Sequence, residues 1–551
     1  MESIKRSYNS TIALLLLIIG VTGFVSCKKY LEVESKSLVT DASVWSSSQN
    51  ADLFLNNIYL GLPRYYNSAD PVDNYSDDAM NDLSYEYSRS TFALSIYTSN
   101  DGPNYWNSNY SQIRKCNLFI KNVTASDLSA EWKNIRLAEA RFLRAFYYQI
   151  LWINYGGVPI ITDVLDQSSQ GDDIYRARNT SEETFKFITD ELAEISGNLP
   201  LVADQGRASR GAALTLKGWC ELFEASAFRN PANDLSKWAR SAATNKQVMD
   251  LGVYSLFPDY QAMFYEENNN NSEEIFSRQY VGGTSLGGSR EGLTAPYNVG
   301  GESKSYGGVR PTQDLVQEYF MANGLPITDP ASGYDPQHPY ENREKRFYQS
   351  ICYDGAHWLG ATMVYKVGSG SLNEFDPGDS RGGTNTGYDL VKGMDPKYAV
   401  HGDNQINSAS QKFFRYAEVL LNYAEAQNEA IGPDESVYDA INEVRERSDL
   451  PGLRAGMDQE EMRKAIRQER RVELAFEQKR LMDLVRWKIA EVNLNRKLLG
   501  MRIDNVGGNW TYTVVPAAGG QRKFYADKNY VLPIPQSAID KNKELIQNPN
   551  Y

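Results

Sequence analysis

Glu469, Glu473 and Glu477 recur at intervals of four residues, so a helix through them carries three carboxylates on one face. Such a face can hold a pair of metal ions or divide acid and base roles between neighbouring carboxyls. Arg470, Arg471, Arg480 and Arg486 are interleaved with them, and no Glu-x-x-His ligand pair occurs in the chain. The pattern therefore predicts an ion-paired stripe at a helix–helix seam. A second group, Asp70, Asp73, Asp77, Asp78 and Asp82, supplies the hard oxygen atoms that calcium takes, without the fixed spacing of an EF-hand. A structural calcium is an open expectation there, and no other cofactor is expected.

The other reactive residue types are sparse. The histidines are His338, His357 and His401, none with a partner at helical spacing, so a zinc-protease reading fails. No Walker loop and no dinucleotide fingerprint follows a strand. The glycine pairs 282–283, 287–288, 300–301, 307–308 and 382–383 lie in loop-like stretches without helix starts, so no nucleophile elbow is read there. Binding is favoured over catalysis. Lys5 and Arg6 precede an apolar run over residues 11–25, and Ser26-Cys27-Lys28-Lys29 ends it. About fifteen apolar residues fall short of the roughly 20 that span a bilayer, so this is a secretory signal peptide over residues 1–26. Cys27 at the cut resembles a bacterial lipobox cysteine, which would become the lipidated first residue and tether the protein to a membrane outside the cytoplasm. Cys116, Cys220 and Cys352 are widely scattered and predicted to be buried free thiols.

Composition narrows the partners. The 57 basic residues are outnumbered by 70 acidic ones, and no basic tract interrupts that balance, so no nucleic-acid partner is expected. Tyrosine is abundant at 36 against 20 Phe and 9 Trp. Its flat body and polar tip suit wet surfaces that stack on sugars or peptides, although helix packing accounts for many of them.

Helical periodicity dominates the elements that must position these groups. Ile135, Ala138, Phe142, Ala145 and Tyr148 form one apolar face over 131–155, stopped by Gly156-Gly157-Val158-Pro159. Thr180 offers an N-cap for a helix striped by Phe185, Ile188, Leu192 and Ile195. Helices over 208–228 and from Asp234 to Met249 follow, then 412–430, 436–447 and 459–492. Alanines at the seams predict tetratricopeptide-like hairpins in two blocks, about 106–260 and 410–492. Residues 61–105 and 266–410 show little periodicity and predict irregular loop regions that carry binding. At 551 residues the chain exceeds one ordinary core, so two lobes or a repeat array are expected.

Several spaced motifs in one order resemble the SusD/RagB family of outer-membrane nutrient-binding lipoproteins, nearly end to end. They begin at Cys27-Lys28-Lys29-Tyr30-Leu31-Glu32 and continue through Trp106, Tyr110, Ile113 and Asn117. Ala138-Glu139-Ala140-Arg141-Phe142-Leu143-Arg144 and Arg415-Tyr416-Ala417-Glu418-Val419-Leu420-Leu421 carry the two helical blocks. Glu469-Arg470-Arg471-Val472-Glu473 with Arg480, Asp483 and Arg486-Trp487 is the most specific piece, and Leu532-Pro533-Ile534-Pro535 leads to the ending Gln547-Asn548-Pro549-Asn550-Tyr551.

The resemblance implies a mainly α fold, a tetratricopeptide-like scaffold with large irregular loops and minor β, as one domain over 27–551. It implies capture of a glycan, or in some members a peptide, and delivery to a SusC-like TonB-dependent transporter at the outer membrane. Sugar recognition in the family uses loop aromatics with polar neighbours. The candidates here are Trp358 first, then Tyr85, Tyr87, Tyr297 and Tyr306, with Asp77, Arg89 and Arg310. Trp358 as an anchor of its loop in the core is an equal alternative. A surface glycoside hydrolase using paired carboxylates and a ligand-free structural adaptor remain as rival readings.

Overall fold

Short polar side chains start the helices. Thr180 Oγ1 accepts from Glu183 N at 3.1 Å while the Glu183 carboxylate accepts from Thr180 N at 2.7 Å, closing a capping box. Ser209, Asp234, Asp434 and Asp458 cap four further helices through their side chains. The computed structural model describes residues 44–65, 71–81, 88–288, 290–296, 305, 307–376, 383–399 and 406–551. Its longer helices are α1 Ser48–Tyr59, α2 Trp106–Ala125, α3 Ala130–Tyr155, α4 Ser181–Ser196, α5 Arg210–Ala225, α6 Leu235–Asp250, α7 Tyr416–Ile431, α8 Glu435–Arg447, α9 Gln459–Glu473 and α10 Arg480–Arg486. None of the described helices is long and apolar enough to cross a membrane.

Successive helices from α2 to α6 pack pairwise, and α6 then packs on α7, which joins the two helical blocks and also touches α8 and α9. Small residues set these seams. Gly218 of α5 lies so close to Asn245 of α6 that a Cβ there would sit 2.8 Å from its amide nitrogen. The helical side shares one large apolar core, with Phe142, Leu143, Trp152, Leu216 and Leu420 fully or nearly fully buried. A second core gathers Leu315, Tyr319, Phe347, Tyr365, Tyr388 and Ile503 from the irregular regions. The fold is mainly α with minor β, a helical-hairpin scaffold presenting irregular segments. Cys116, Cys220 and Cys352 are buried free thiols.

The strands are short and paired in twos: β1 Ala79–Met80 with β3 Arg310–Pro311, β2 Glu274–Arg278 with β8 Gln411–Arg415, β4 Ile351–Cys352 with β7 Asp389–Leu390, β5 His357–Trp358 with β6 Ala361–Thr362, and β9 Lys497–Val506 with β10 Asn509–Gln521. Two helix expectations are corrected. Residues 412–415 belong to β8, and the helix starts at Tyr416, because Lys412 and Arg415 are drawn across the β2 pairing to Glu274 and Glu273. The single helix expected over 459–492 is broken into α9, α10 and a last turn, Ala490–Asn493. Phe476, Gln478 and Lys488 take φ of 62°, 63° and 57°, left-handed values that no α-helix accommodates. The β9–β10 hairpin turns through Gly507 and Gly508, both at positive φ, and no expectation from periodicity covered it.

Candidate functional site

Glu469 and Glu473 of α9 face cations from other elements rather than their own helix neighbours. Glu469 meets Arg346 at 2.6 Å and Arg445 at 3.0 Å. Glu473 meets Arg415 at 2.6 Å and Arg346 at 2.9 Å, and pairs with Arg447 as well. Glu477, just beyond the helix, holds Arg415 and Lys392, each at 2.7 Å. Burial alone would raise the Glu473 carboxyl, but Arg447, Arg415 and Arg346 outweigh it and hold it well below the usual range. The same balance brings Glu477 down to about 2, through Arg415 and Lys392. Desolvation dominates at Lys392, whose ammonium falls to about 8. All these carboxylates are spent on pairing, as the interleaved stripe predicts.

Arg471 and Arg480 reach the other way. Arg480 forks onto Asp77 with N–O distances of 2.8 and 2.9 Å, and Arg471 binds Asp78 at 2.7 Å and Asp77 at 3.3 Å. Against the cost of burial, Arg480 and then Arg471 hold the Asp77 carboxyl far below its ordinary value. Asp73 accepts from the Gln478 backbone at 3.1 Å and from its side-chain amide, and burial pushes it up to about 7. Asp73, Asp77 and Asp78 are thus committed to protein partners, and the described residues hold no group of three or more acidic, His or Cys side chains able to take a metal ion. Asp70 and Asp82 lie outside the described residues.

This clamped turn aims β1. Ala79 pairs with Pro311 and Met80 with Arg310 in antiparallel register. Thr312 donates its hydroxyl to Asp77 O at 2.7 Å, Asn74 Nδ2 donates to Gly308 O at 2.8 Å, and Arg522 Nη2 donates to Asn74 O at 3.0 Å. The chain leaving β1 at Met80 and the chain entering β3 at Arg310 therefore meet at one edge. Ser305 donates to Glu291 O and Ala295 O, at 3.1 and 2.5 Å, so the second segment is tied at both of its ends. In sequence, Tyr85 and Tyr87 follow β1 and Tyr297 and Tyr306 precede β3, and all four lie outside the described residues. Arg89 falls in the single π-turn Ser88–Phe92, whose last residue stacks on Tyr75 at 4.3 Å between ring centres.

Three expected ligand residues are not on an exposed face. Asp77 is 0% exposed and serves the Arg480 fork. Arg310 is 1% exposed and pairs with Asp389, whose other oxygen accepts from Tyr365 at 2.7 Å. Trp358 is 8% exposed in β5, among the residues of the second core, as its anchor alternative describes. Its indole N–H has no hydrogen-bond partner among the described residues. Sequence reading also passed over Trp510, exposed on β10 with the Lys366 ammonium 5.0 Å from its ring centre. The Gly507-Gly508 turn before an alternating run was the signal available for it. Gly283-Thr284-Ser285-Leu286-Gly287 does have nucleophile-elbow spacing, contrary to the sequence reading, but it forms an exposed turn closed by Val281 N to Leu286 O, and Ser285 bonds to no histidine among the described residues. Cys27 and the signal segment lie outside the described residues.

The sequence profile of the SusD family matches residues 272–551, half of the chain. The chain belongs to the SusD family. A second profile, described as starch-binding associating with outer membrane, matches residues 29–217, from before α1 into the first half of α5. Among curated relatives, SusD-like protein P38 of Formosa agariphila is 26% identical over 88% of this chain and 92% of its own length. A SusD-like protein structure from Bacteroides fragilis is 27% identical with a TM-score of 0.77, covering 93% of this chain and 99% of that one. A SusD-like carbohydrate binding protein of the same organism matches at 27% identity and TM-score 0.77, over 92% of this chain and 100% of that one. The α9–α10 motif lies within the matched SusD-family residues, and its charges build the buried frame.

Proposed function

We propose that this protein captures an oligosaccharide at the edge rooted by β1 and β3 and passes it to a TonB-dependent transporter in the outer membrane, without cleaving it. Cys27 would carry the lipid tether. The observation that carries the reading is the β1–β3 register, which starts two tyrosine-bearing segments from one buried, charge-clamped edge. Tyr85, Tyr87, Tyr297 and Tyr306 would stack on sugar rings, with Arg89 on hydroxyls, while Asp77 and Arg310 hold the frame and Trp358 anchors its hairpin. Family membership, the outer-membrane description of the second profile and the carbohydrate-binding relative from Bacteroides fragilis support it.

The test incubates the purified protein with a panel of polysaccharides and with a peptide array. Saturable binding of one intact glycan is the expected result, with each Tyr→Ala change weakening it roughly thirtyfold, the scale of a ~2 kcal/mol anchor. Shortened products would refute the non-catalytic reading, and binding confined to peptides would refute the glycan. Co-purification of a β-barrel transporter from solubilised outer membranes tests the partner.

A further inference from the structure

A cavity of about 130 Å³ lies where α3, α10 and the segment 530–532 meet, with Val72, Tyr75 and Phe92 of the turns flanking β1 in its wall. Phe146, Ile150 and Ile153 of α3 form one wall, and Leu481 and Val485 of α10 another. The aromatic content is high. Phe413 stands 5.2 Å from Phe146 and 6.2 Å from Tyr65, the latter edge to face, so a further ring has both faces and edges to meet. In size the space approaches a cavity of about 150 Å³ that is known to take benzene.

Its charged neighbours are neutralised by the protein. Glu477 is held by Arg415 and Lys392, Lys412 binds Glu274 at 2.9 Å, and Lys479 binds Glu418 at 2.8 Å. An anion or cation would find no unpaired counter-charge here, and entering would cost it its hydration. Two polar groups are left over. The Gln149 amide is 7% exposed, lines the cavity and makes no hydrogen bond among the described residues. The Tyr530 hydroxyl in the wall is likewise buried without a partner. An amide that faces a cavity without a protein partner can pair with a ligand that brings one donor or acceptor. A sugar ring brings more hydroxyls than these two groups can satisfy. Tyr65, Tyr75 and Tyr105 are only half-buried, so that wall is reachable from solvent.

We propose that this cavity is a second binding site, lined by other residues than the tyrosines proposed for the glycan, for a small uncharged aromatic molecule of phenol size whose hydroxyl pairs with Gln149. Titrating phenol and toluene into the protein by calorimetry tests it. Both bind saturably at one site. Gln149→Leu weakens phenol roughly tenfold, as expected for one hydrogen bond, and leaves toluene unchanged. Ile150→Trp fills the space and abolishes both; should that variant fail to fold, Met482→Trp fills it from the opposite wall. Absence of saturable binding of either probe to the unmodified protein overturns the proposal, since the cavity then holds water only. So does phenol binding that survives a folded, filled variant.

Discussion

Replacing Glu473 by Gln tests whether the buried charges of the scaffold are balanced as tightly as the geometry indicates. Glu473 belongs to a connected set in which Glu273, Glu344, Glu469 and Glu477 are its fellow carboxylates. Arg346, Arg415, Arg445, Arg447 and Lys392 face them, so five negative groups meet five positive ones. The substitution keeps the side-chain volume, so no cavity term enters, and leaves one buried positive charge uncompensated. Removing one partner of a buried pair costs about 3–5 kcal/mol. Arg415 keeps Glu273 and Glu477, and Arg346 keeps Glu344 and Glu469, which puts the expected loss at the lower end, about 3 kcal/mol. Urea unfolding at pH 7 followed by tryptophan fluorescence measures it. The control is Lys246→Ala, which removes an exposed partner of Asp250 and should change stability by less than about 0.5 kcal/mol. The pH dependence has a definite sign. Glu473 has a folded value well below the ordinary 4.5, so its stabilisation is present above 4.5 and is lost as pH falls toward the folded value. The variant should therefore lose less stability than the parent on acidification below 4.5. A Glu473→Gln protein within about 1 kcal/mol of the parent, with an unchanged acid limb, would refute the balanced network.

Asp77→Asn, which removes the charge that Arg480 and Arg471 share, should loosen the β1–β3 edge and weaken the captured glycan by roughly tenfold or more, read by the same titration that identifies the ligand. Asp73 has a folded value raised to about 7, so the folded state holds a proton that the unfolded state releases near 4, and stability falls as pH climbs between them. Asp73→Asn should flatten that fall, which melting at a series of pH values would reveal. Thr180→Ala breaks the capping box of α4 and should cost about 1 kcal/mol in the same denaturation assay. Gly157→Ala would set a Cβ 2.0 Å from Asn179 O, a backbone atom that cannot swing aside, so a loss of about 1–3 kcal/mol or more is expected.

Local patterns alone determined α3 and the start of α4. The stripe from Ile135 to Tyr148, the Gly156-Gly157 stop and the Thr180 cap use neighbours within a turn or two, so α3 falls within a residue of its expected span and α4 starts at its expected cap. The ion-paired fate of Glu469, Glu473 and Glu477 was also legible, since three carboxylates among arginines on an apolar scaffold must be neutralised. Their partners were not legible, because Arg346 and Arg415 stand 127 and 58 residues from Glu473. The same distance effect hid the breaks after α9. Phe476 and Gln478 are ordinary helix residues locally, and they turn left-handed in a structure where Glu477 reaches Arg415 and Gln478 holds Asp73. Asp77 was read as an exposed loop acid for that reason too. Its partner Arg480 lies 403 residues away, and only the fold brings the two to 2.8 Å. Sequence determined the helical scaffold and the family, which rest on periodicity and spaced motifs. Tertiary structure decided which charges are buried frame and which segments the frame presents, because those depend on contacts between residues hundreds of positions apart.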